Sequence, residues 1–193
     1  MGRSETVIGL APLNPSVPPT LLKRMLAAGP NSWSAEAMSG EYEEILDGTT
    51  HVRRVPGGRH ETICLFLHQR MTAVVQNGKD CRLLAARTRL EFGPETVLCP
   101  DLALVAGSTG QLLLAAEIIS REDHRPDTVT KKEVYEKIRA ARVWMVDPRY
   151  DNVEIYEMTQ WGLVLKQILA GSEALSDPLL PGFELAVADL FNR

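Results

Sequence analysis

VLCPDLALVA at residues 97–106 and LLLAAEIIS at residues 112–120 are nearly all apolar, and a glycine-bounded turn separates them. Short continuous apolar runs of this kind are typical of strands that are buried on both faces of a sheet. Each run nevertheless contains one carboxylate, Asp101 in the first and Glu117 in the second. The pattern therefore predicts two central strands that each carry one acidic side chain.

The two carboxylates need partners, because burying an unpaired charge is costly. A structural explanation would pair Asp101 and Glu117 with buried arginines or with backbone N–H groups. If the two strands are neighbours, both side chains can instead converge on one divalent cation, whose charge offsets their mutual repulsion. We favour this second arrangement, because two such residues occur on consecutive strands.

The segments before this pair predict helices and antiparallel strands. Asp47-Gly48 is a strong turn dipeptide between two short strand-like runs, and the apolar residues of 58–76 recur at helical spacing until Asn77-Gly78. The expected elements are a short helix LLKRMLAA (21–28), a hairpin formed by EYEEIL and THVRRV, a helix over 58–76, and a strand CRLLAARTRLEF (81–92).

The segments after the pair complete an α/β pattern. We expect a helix over 127–140, a strand RVWMVDP (142–148), a hairpin of NVEIYEMT and GLVLKQILA, and a short C-terminal helix within LPGFELAVADLF. Strands and helices that alternate in this way predict one mixed β-sheet flanked by helices, with a C-terminal hairpin, rather than separate α and β regions.

Size and composition predict one domain. The chain has 193 residues, of which 45% are apolar, and this suffices for a single core. We expect a flexible proline-rich arm over 1–19 and a single domain over 20–193. Three cysteines without paired spacing favour a reducing cytoplasm, and no apolar run is long enough for a membrane span. The net charge of -4 argues against a protein that coats nucleic acid electrostatically.

Several motifs together resemble a known nuclease family. Pro100-Asp101 followed by Glu117 resembles the PD-(D/E)xK nuclease signature, although Ile119 stands where the signature has lysine. Asp127, Lys131 and Tyr135 are spaced four apart and so share one helical face. With EILDG, His60 and VWMVDP, this order over residues 40–192 resembles the Uma2 (DUF820) family of restriction-endonuclease-like proteins.

The resemblance implies roles for individual residues. Asp101 and Glu117 would bind Mg²⁺ or Mn²⁺, with the backbone carbonyl of Ile118 as a possible third ligand. Lys131 would take the role of the missing signature lysine and stabilise the attacking hydroxide and the developing phosphate charge. Glu44 matches an early acidic position and would be a further ligand or a group that positions water.

Other candidates rank lower. Lys132 is the obvious rival to Lys131 but points about 100° away on a helix. His60 could approach the site, although a histidine at a helix start more often caps the helix or faces water, and we expect His68 on the helix surface. A separate metal loop at Asp123, His124 and Asp127 is a weaker alternative. Ser120-Arg121 also departs from the Ser-Pro that the family has after this strand.

The function that the resemblance implies is metal-dependent hydrolysis of DNA phosphodiester bonds by an endonuclease. DNA would bind in a local cleft, and a homodimer is expected because one such domain cuts one strand. The alternative is a nuclease-fold binding or regulatory module with weak or absent catalysis, which the isoleucine at position 119 motivates. Metal binding by Asp101 and Glu117 discriminates between these two hypotheses.

Overall fold

The computed structural model of the protein describes residues 40–54, 56–75, 80–120 and 129–192. The predicted arm over 1–19, the helix over 21–28 and the loop with Asp123, His124 and Asp127 lie outside these ranges. The predicted single domain over 20–193 lies only partly within them. Within the described ranges, no helix combines the length and the apolar character that crossing a bilayer requires.

The described chain forms short strands at its start and longer ones toward its end. In order, the elements are β1 (Glu41–Leu46), β2 (Thr49–Arg54), α1 (Arg59–Val75), β3 (Cys81–Leu83), β4 (Leu90–Glu91), β5 (Val97–Leu98), β6 (Leu102–Ala106), β7 (Leu112–Ile118), α2 (Lys131–Lys137), β8 (Arg142–Asp147), β9 (Asn152–Thr159), β10 (Gly162–Ala170), β11 (Ala174–Leu175), β12 (Leu185–Ala186) and α3 (Val187–Phe191).

The largest sheet has six strands in the order β10-β9-β8-β7-β6-β3. β7 and β8 run parallel, whereas the other neighbouring pairs are antiparallel. A parallel pair needs a crossover connection, and α2 lies in the segment that connects β7 to β8. The expected mixed sheet with flanking helices and a β9–β10 hairpin is therefore confirmed.

The first hairpin builds a smaller sheet beside the large one. β1 pairs with β2 in antiparallel register, and Asp47 and Gly48 at the turn have φ of 54° and 77°. Two successive positive φ values are what a two-residue hairpin turn requires, and Asp-Gly adopts them at low cost. β5 joins the other edge of β1 through Ile45 and Val97, and β4 follows β5.

The central strands of the large sheet are buried on both faces, as their apolar sequences predict, whereas the edge strand β10 is largely exposed. On one face, Leu114 and Ile118 of β7 pack in a cluster with Leu67 of α1. On the other face, Ala115 of β7 packs in a cluster with Val134 of α2. Alternate residues of β7 thus bury against opposite layers, which explains why the strand is almost continuously apolar.

Two predicted strands are each broken into two. CRLLAARTRLEF forms β3 and β4, and TVLCPDLALVA forms β5 and β6. The second break falls at Pro100, which lacks the N–H that a ladder needs. Its carbonyl instead accepts a 3.1 Å hydrogen bond from the Arg87 amide in the turn that breaks the first strand. This hydrogen bond therefore links the two points at which the predicted strands are interrupted.

The helix predicted over 127–140 is found as Lys131–Lys137, and Asp127 and Thr128 of its expected first turn lie outside the described residues. It ends before Arg139, whose φ of 55° is left-handed and does not continue a helix. The structure confirms the helix predicted over 58–76, which is α1, together with the strand before Pro148 and the C-terminal helix.

A buried ion pair fastens the C-terminal segment to the sheet and yields a prediction. Arg142 Nε of β8 lies 2.7 Å from Asp177 Oδ2, and both side chains are buried. Arg142 also pairs with the half-exposed Glu157, so Asp177→Ala removes its buried partner but not its only one and should lower the free energy of unfolding by about 2 kcal/mol. Chemical denaturation measures this change.

The matched control for this prediction is Glu41→Ala. Glu41 pairs with Arg54, but the two side chains are 58% and 84% exposed, so the pair should contribute less than about 1 kcal/mol. Equal losses in the two variants would contradict a structural role for the Arg142–Asp177 pair.

Candidate active site

The register of β6 and β7 brings the two predicted carboxylates to the same end of the sheet. Leu102 pairs with Ala116, which places Asp101 opposite Glu117. Both acidic residues are buried, as their apolar neighbours in the sequence predict. The structure therefore places the central pair together, and each carboxylate has protein partners.

Asp101 is held by one backbone group and two side chains. Its Oδ2 accepts a 2.9 Å hydrogen bond from the Ile118 amide, which ties the end of β6 to the end of β7. His60 Nε2 lies 3.2 Å from the same oxygen, and Arg87 Nε lies 3.3 Å from Oδ1. The predicted role of the Ile118 carbonyl stays a prediction, whereas its amide is engaged by Asp101.

Glu117 is held by the helix that follows it. Lys131 Nζ donates to Glu117 Oε2 at 2.9 Å, and the Tyr135 hydroxyl donates to Oε1 at 2.5 Å. Lys131 and Tyr135 are one helical turn apart on α2 and are both buried. The helical spacing in the sequence therefore correctly predicted that these two side chains reach one site.

Glu44 of β1 joins this site through the same lysine. Lys131 Nζ lies 3.0 Å from Glu44 Oε1, which also accepts a 2.8 Å hydrogen bond from the Cys99 amide. Arg53 Nε of β2 lies 3.2 Å from Glu44 Oε2. Lys131 thus bridges Glu44 and Glu117 and connects the small sheet to the large one.

His60 and Arg87 belong to the site, which corrects the sequence-based expectation that His60 caps a helix or faces water. His60 is only 8% exposed, and its Nδ1 lies 3.2 Å from Glu61 Oε1. Arg87 also contacts Glu61, so it bridges Glu61 and Asp101. Spacing could not predict the role of Arg87, because Arg87 itself lies in a turn with a left-handed φ of 55° and belongs to no periodic element.

His68 was also misplaced by the sequence analysis, which expected it on the helix surface. It is 5% exposed and is hydrogen bonded to Thr72 one turn later. Lys132 behaves as expected, because its Nζ donates to the Tyr156 hydroxyl at 3.0 Å and lies over the Tyr156 ring. Lys131, rather than Lys132, is therefore the lysine of the carboxylate site.

The charges of the site shift its pKa values in opposite directions. Burial alone would raise the pKa of Asp101, but His60, Arg87 and Lys131 lower it to about 2. Burial alone would lower the pKa of His60, but Asp101 and Glu61 raise it to about 10. Asp101 is thus a carboxylate and His60 a cation at neutral pH.

Carboxylates and cations balance across the described part of the site. With His60 protonated, four negative groups face four positive groups, namely Glu44, Glu61, Asp101 and Glu117 against Arg53, His60, Arg87 and Lys131. Protein cations therefore provide the compensation that the sequence analysis assigned to a metal ion. The pairing exists whether or not a metal binds, so metal binding by Asp101 and Glu117 stays a prediction.

The donor set fits a hard cation in chemical type. Asp101 and Glu117 supply carboxylate oxygens, and Mg²⁺ is commonly bound through one or two carboxylates with the remaining positions taken by water and substrate. Among the described residues, no group of three or more His, Cys, Asp or Glu side chains is arranged to hold a metal ion. Two carboxylates alone would leave most coordination positions of such a cation to water and substrate.

Comparisons with known proteins define the class and then the family. A crystal structure titled as a putative nuclease belonging to DUF820 from Anabaena variabilis superposes with a TM-score of 0.66, 19% identity and coverage of 78% of this chain and 89% of that chain. The protein thus has a nuclease-type α/β fold. Residues 33–188 match the Uma2 family model, described as "Putative restriction endonuclease", so the chain belongs to the Uma2 family.

The family and the fold support a nuclease function. A search of curated proteins found no match. The resemblance inferred from Pro100-Asp101, Glu117 and the Lys131 helix is confirmed at the level of the family.

The raised pKa of His60 gives a prediction for the metal-free protein. A pKa of about 10 in the folded state, against an ordinary 6.5, means that this stabilisation is complete below pH 6.5 and is lost as pH rises toward 10. NMR titration of the imidazole should give a midpoint near 10. In Asp101→Asn the midpoint should fall markedly, because burial then opposes protonation with less compensation.

His60→Gln is the control for the linked effect on stability. The free energy of unfolding of the unmodified chain should fall between pH 6.5 and 10, and His60→Gln should flatten that fall. A His60 midpoint near its ordinary value in the unmodified chain would contradict the ion pair with Asp101.

Proposed function

We propose that this protein is a metal-dependent endonuclease that hydrolyses phosphodiester bonds in DNA. The observation that carries the proposal is the position of Lys131, whose ammonium lies 2.9 Å from Glu117. The PD-(D/E)xK signature places its lysine two residues after the glutamate, where this chain has Ile119. Helix α2 supplies a lysine to the same carboxylate from a different element, so the charge set of the signature is complete.

Asp101 and Glu117 would hold the divalent cation, Mg²⁺ or Mn²⁺, with the Ile118 carbonyl as a further candidate ligand. A bound divalent cation polarises the phosphate and lowers the pKa of bound water. Although burial alone would raise the pKa of Asp101, the neighbouring His60, Arg87 and Lys131 lower it to about 2, so its side chain is present as a carboxylate. Lys131, Tyr135 and Glu44 would each have a separate role.

Lys131 places a positive charge beside the reacting phosphate and stabilises the negative charge that develops on it. Tyr135 keeps its proton, because burial and then the neighbouring Glu117 raise its pKa, and its hydroxyl fixes the orientation of the Glu117 carboxylate. Glu44 holds Lys131 from the opposite side and is the candidate for positioning water.

DNA is the substrate that the family description supports, and contacts with it should be local because the chain carries a net charge of -4. We include a homodimer in the proposal, since two sites are needed to cut both strands. The cytoplasmic location stays a prediction from cysteine usage.

A second candidate function rests on the charge balance of the described site. Because Arg53, His60, Arg87 and Lys131 already compensate the carboxylates, the ion cluster could serve only to fix the fold of a DNA-binding or regulatory module. Ile119 at the signature lysine position favours the same alternative. An activity assay on matched lysine variants separates the two candidates.

The proposal predicts unequal effects of two neighbouring lysines. Lys131→Ala should lower the rate of plasmid cleavage in Mg²⁺ or Mn²⁺ by about 100-fold or more, the scale of losing one stabiliser of the transition state. Lys132→Ala should change the rate little, because Lys132 contacts Tyr156 outside the carboxylate site. Gel analysis of supercoiled, nicked and linear plasmid measures both variants.

Thermal unfolding of each variant provides the control for folding, since Lys131→Ala leaves two buried carboxylates with fewer partners. Lys131→Met retains more of the side-chain volume and should show the same loss of activity. Equal cleavage by the Lys131 and Lys132 variants would contradict the assignment. Cleavage by none of the proteins, including the unmodified chain, would favour the non-catalytic module.

A further inference from the structure

A cavity of about 370 Å³ lies beside the carboxylate site and differs from it in charge. Its walls come from the residues before and at the start of α1, from the two residues that follow β7, and from the turn that follows β8. Arg59, His60 and Arg149 line it, and none of its described lining residues is acidic. The charged groups that face the cavity are therefore cations, and the carboxylates that pair with them lie outside its lining.

The cavity is separated from Asp101 by the His60 side chain. His60 is part of its wall, and the Nε2 atom of the same ring lies 3.2 Å from Asp101 Oδ2. Ile119 also lines the cavity, two residues after Glu117 and next to Ile118, whose amide holds Asp101. A molecule in the cavity would consequently lie next to the proposed metal ligands.

The two arginines are held in fixed orientations. Arg59 Nη1 donates to the Pro148 carbonyl at 2.8 Å, and its Nη2 lies 2.6 Å from Asp151 Oδ1. Arg149 donates to both oxygens of Asp147 through Nε and Nη2, at 2.9 and 2.6 Å. Neither arginine is fully buried, since the side chains are 48% and 26% exposed. Both guanidinium groups are thus ordered and accessible to a ligand.

Guanidinium groups arranged in this way suit a phosphate ligand. A guanidinium group has five N–H donors, so an arginine that already pairs with one carboxylate can still donate to a phosphate oxygen, and prior ordering of the side chain reduces the entropy lost on binding. In the described structure, the hydrogen bonds of Arg149 to Asp147 use Nε and Nη2 and leave Nη1 without a described hydrogen bond. The volume lies within the usual range of ligand pockets.

We propose that this cavity binds a backbone phosphate of DNA adjacent to the phosphate that is cleaved, with Arg59 and Arg149 as its contacts. This inference rests on the proposed nuclease function and adds to it the direction from which the DNA strand approaches Asp101. The strand would cross the start of α1 and the turn that follows β8.

The test measures binding of a fluorescent 20-base-pair DNA duplex in EDTA, so that no cleavage occurs. The logarithm of the affinity falls linearly with the logarithm of the salt concentration, and each lost phosphate contact reduces the slope by about 1. Arg59→Gln and Arg149→Gln should each reduce the slope by about 1 and weaken binding. The double variant should reduce the slope by about 2.

Arg54→Gln is the matched control, because it removes the same charge at a side chain that is 84% exposed and that does not line the cavity. It should leave the slope unchanged. Circular dichroism and thermal unfolding establish that each variant is folded. If a glutamine variant does not fold, Arg149→Lys replaces it, and weaker binding at an unchanged slope is expected because the charge remains while the Nη1 donors are lost.

Cleavage kinetics separate failure of this inference from failure of the proposed function. In a chain that cleaves DNA, the cavity variants should raise KM more than they lower kcat. If the unmodified chain binds the duplex but does not cleave it, and the slope still falls in the variants, the nuclease proposal fails and the phosphate subsite stands. The subsite is overturned if the unmodified chain does not bind the duplex, or if the cavity variants bind it like Arg54→Gln.

Discussion

The fold around the site depends on the double ion pair that Lys131 makes with Glu44 and Glu117. These three residues come from α2, β1 and β7, so one buried ammonium joins a helix, the small sheet and the large sheet. Removing Lys131 would leave two buried carboxylates with less compensation, which is strongly destabilising in a buried site. The site is therefore a part of the scaffold as well as the place where chemistry is proposed.

Parallel pairing of β7 and β8 explains how the lysine reaches this position. The connection between two parallel strands must cross one face of the sheet, and α2 lies in that connection and packs on the face that carries Glu117. A lysine at residue 119 would directly follow β7, so this strand alone would set its position. Instead, Ile119 is buried in the core cluster that contains Val134 and Tyr135 of α2. With the lysine on α2, a positive charge lies beside Glu117 and the apolar side chain of Ile119 is buried at the end of β7.

Some of this arrangement could be predicted from the sequence and some could not. Asp101 and Glu117 were evident because carboxylates interrupt apolar strands, and Lys131 followed from its spacing on a helix. His60 and Arg87 could not be predicted in this way, since their approach to Asp101 depends on how α1 packs and on a left-handed turn. Local patterns predict partners within an element or between neighbouring strands, whereas contacts across layers depend on the tertiary fold.

The central claim is that Asp101 and Glu117 hold a divalent cation although protein cations already balance their charge. Anomalous scattering from crystals soaked in Mn²⁺ tests this claim most directly. We expect one strong peak at coordination distance from carboxylate oxygens of both residues, and loss of that peak in Asp101→Asn crystals. Crystals of a chain that cleaves DNA with Mn²⁺, but in which the ion lies away from both carboxylates, would contradict it.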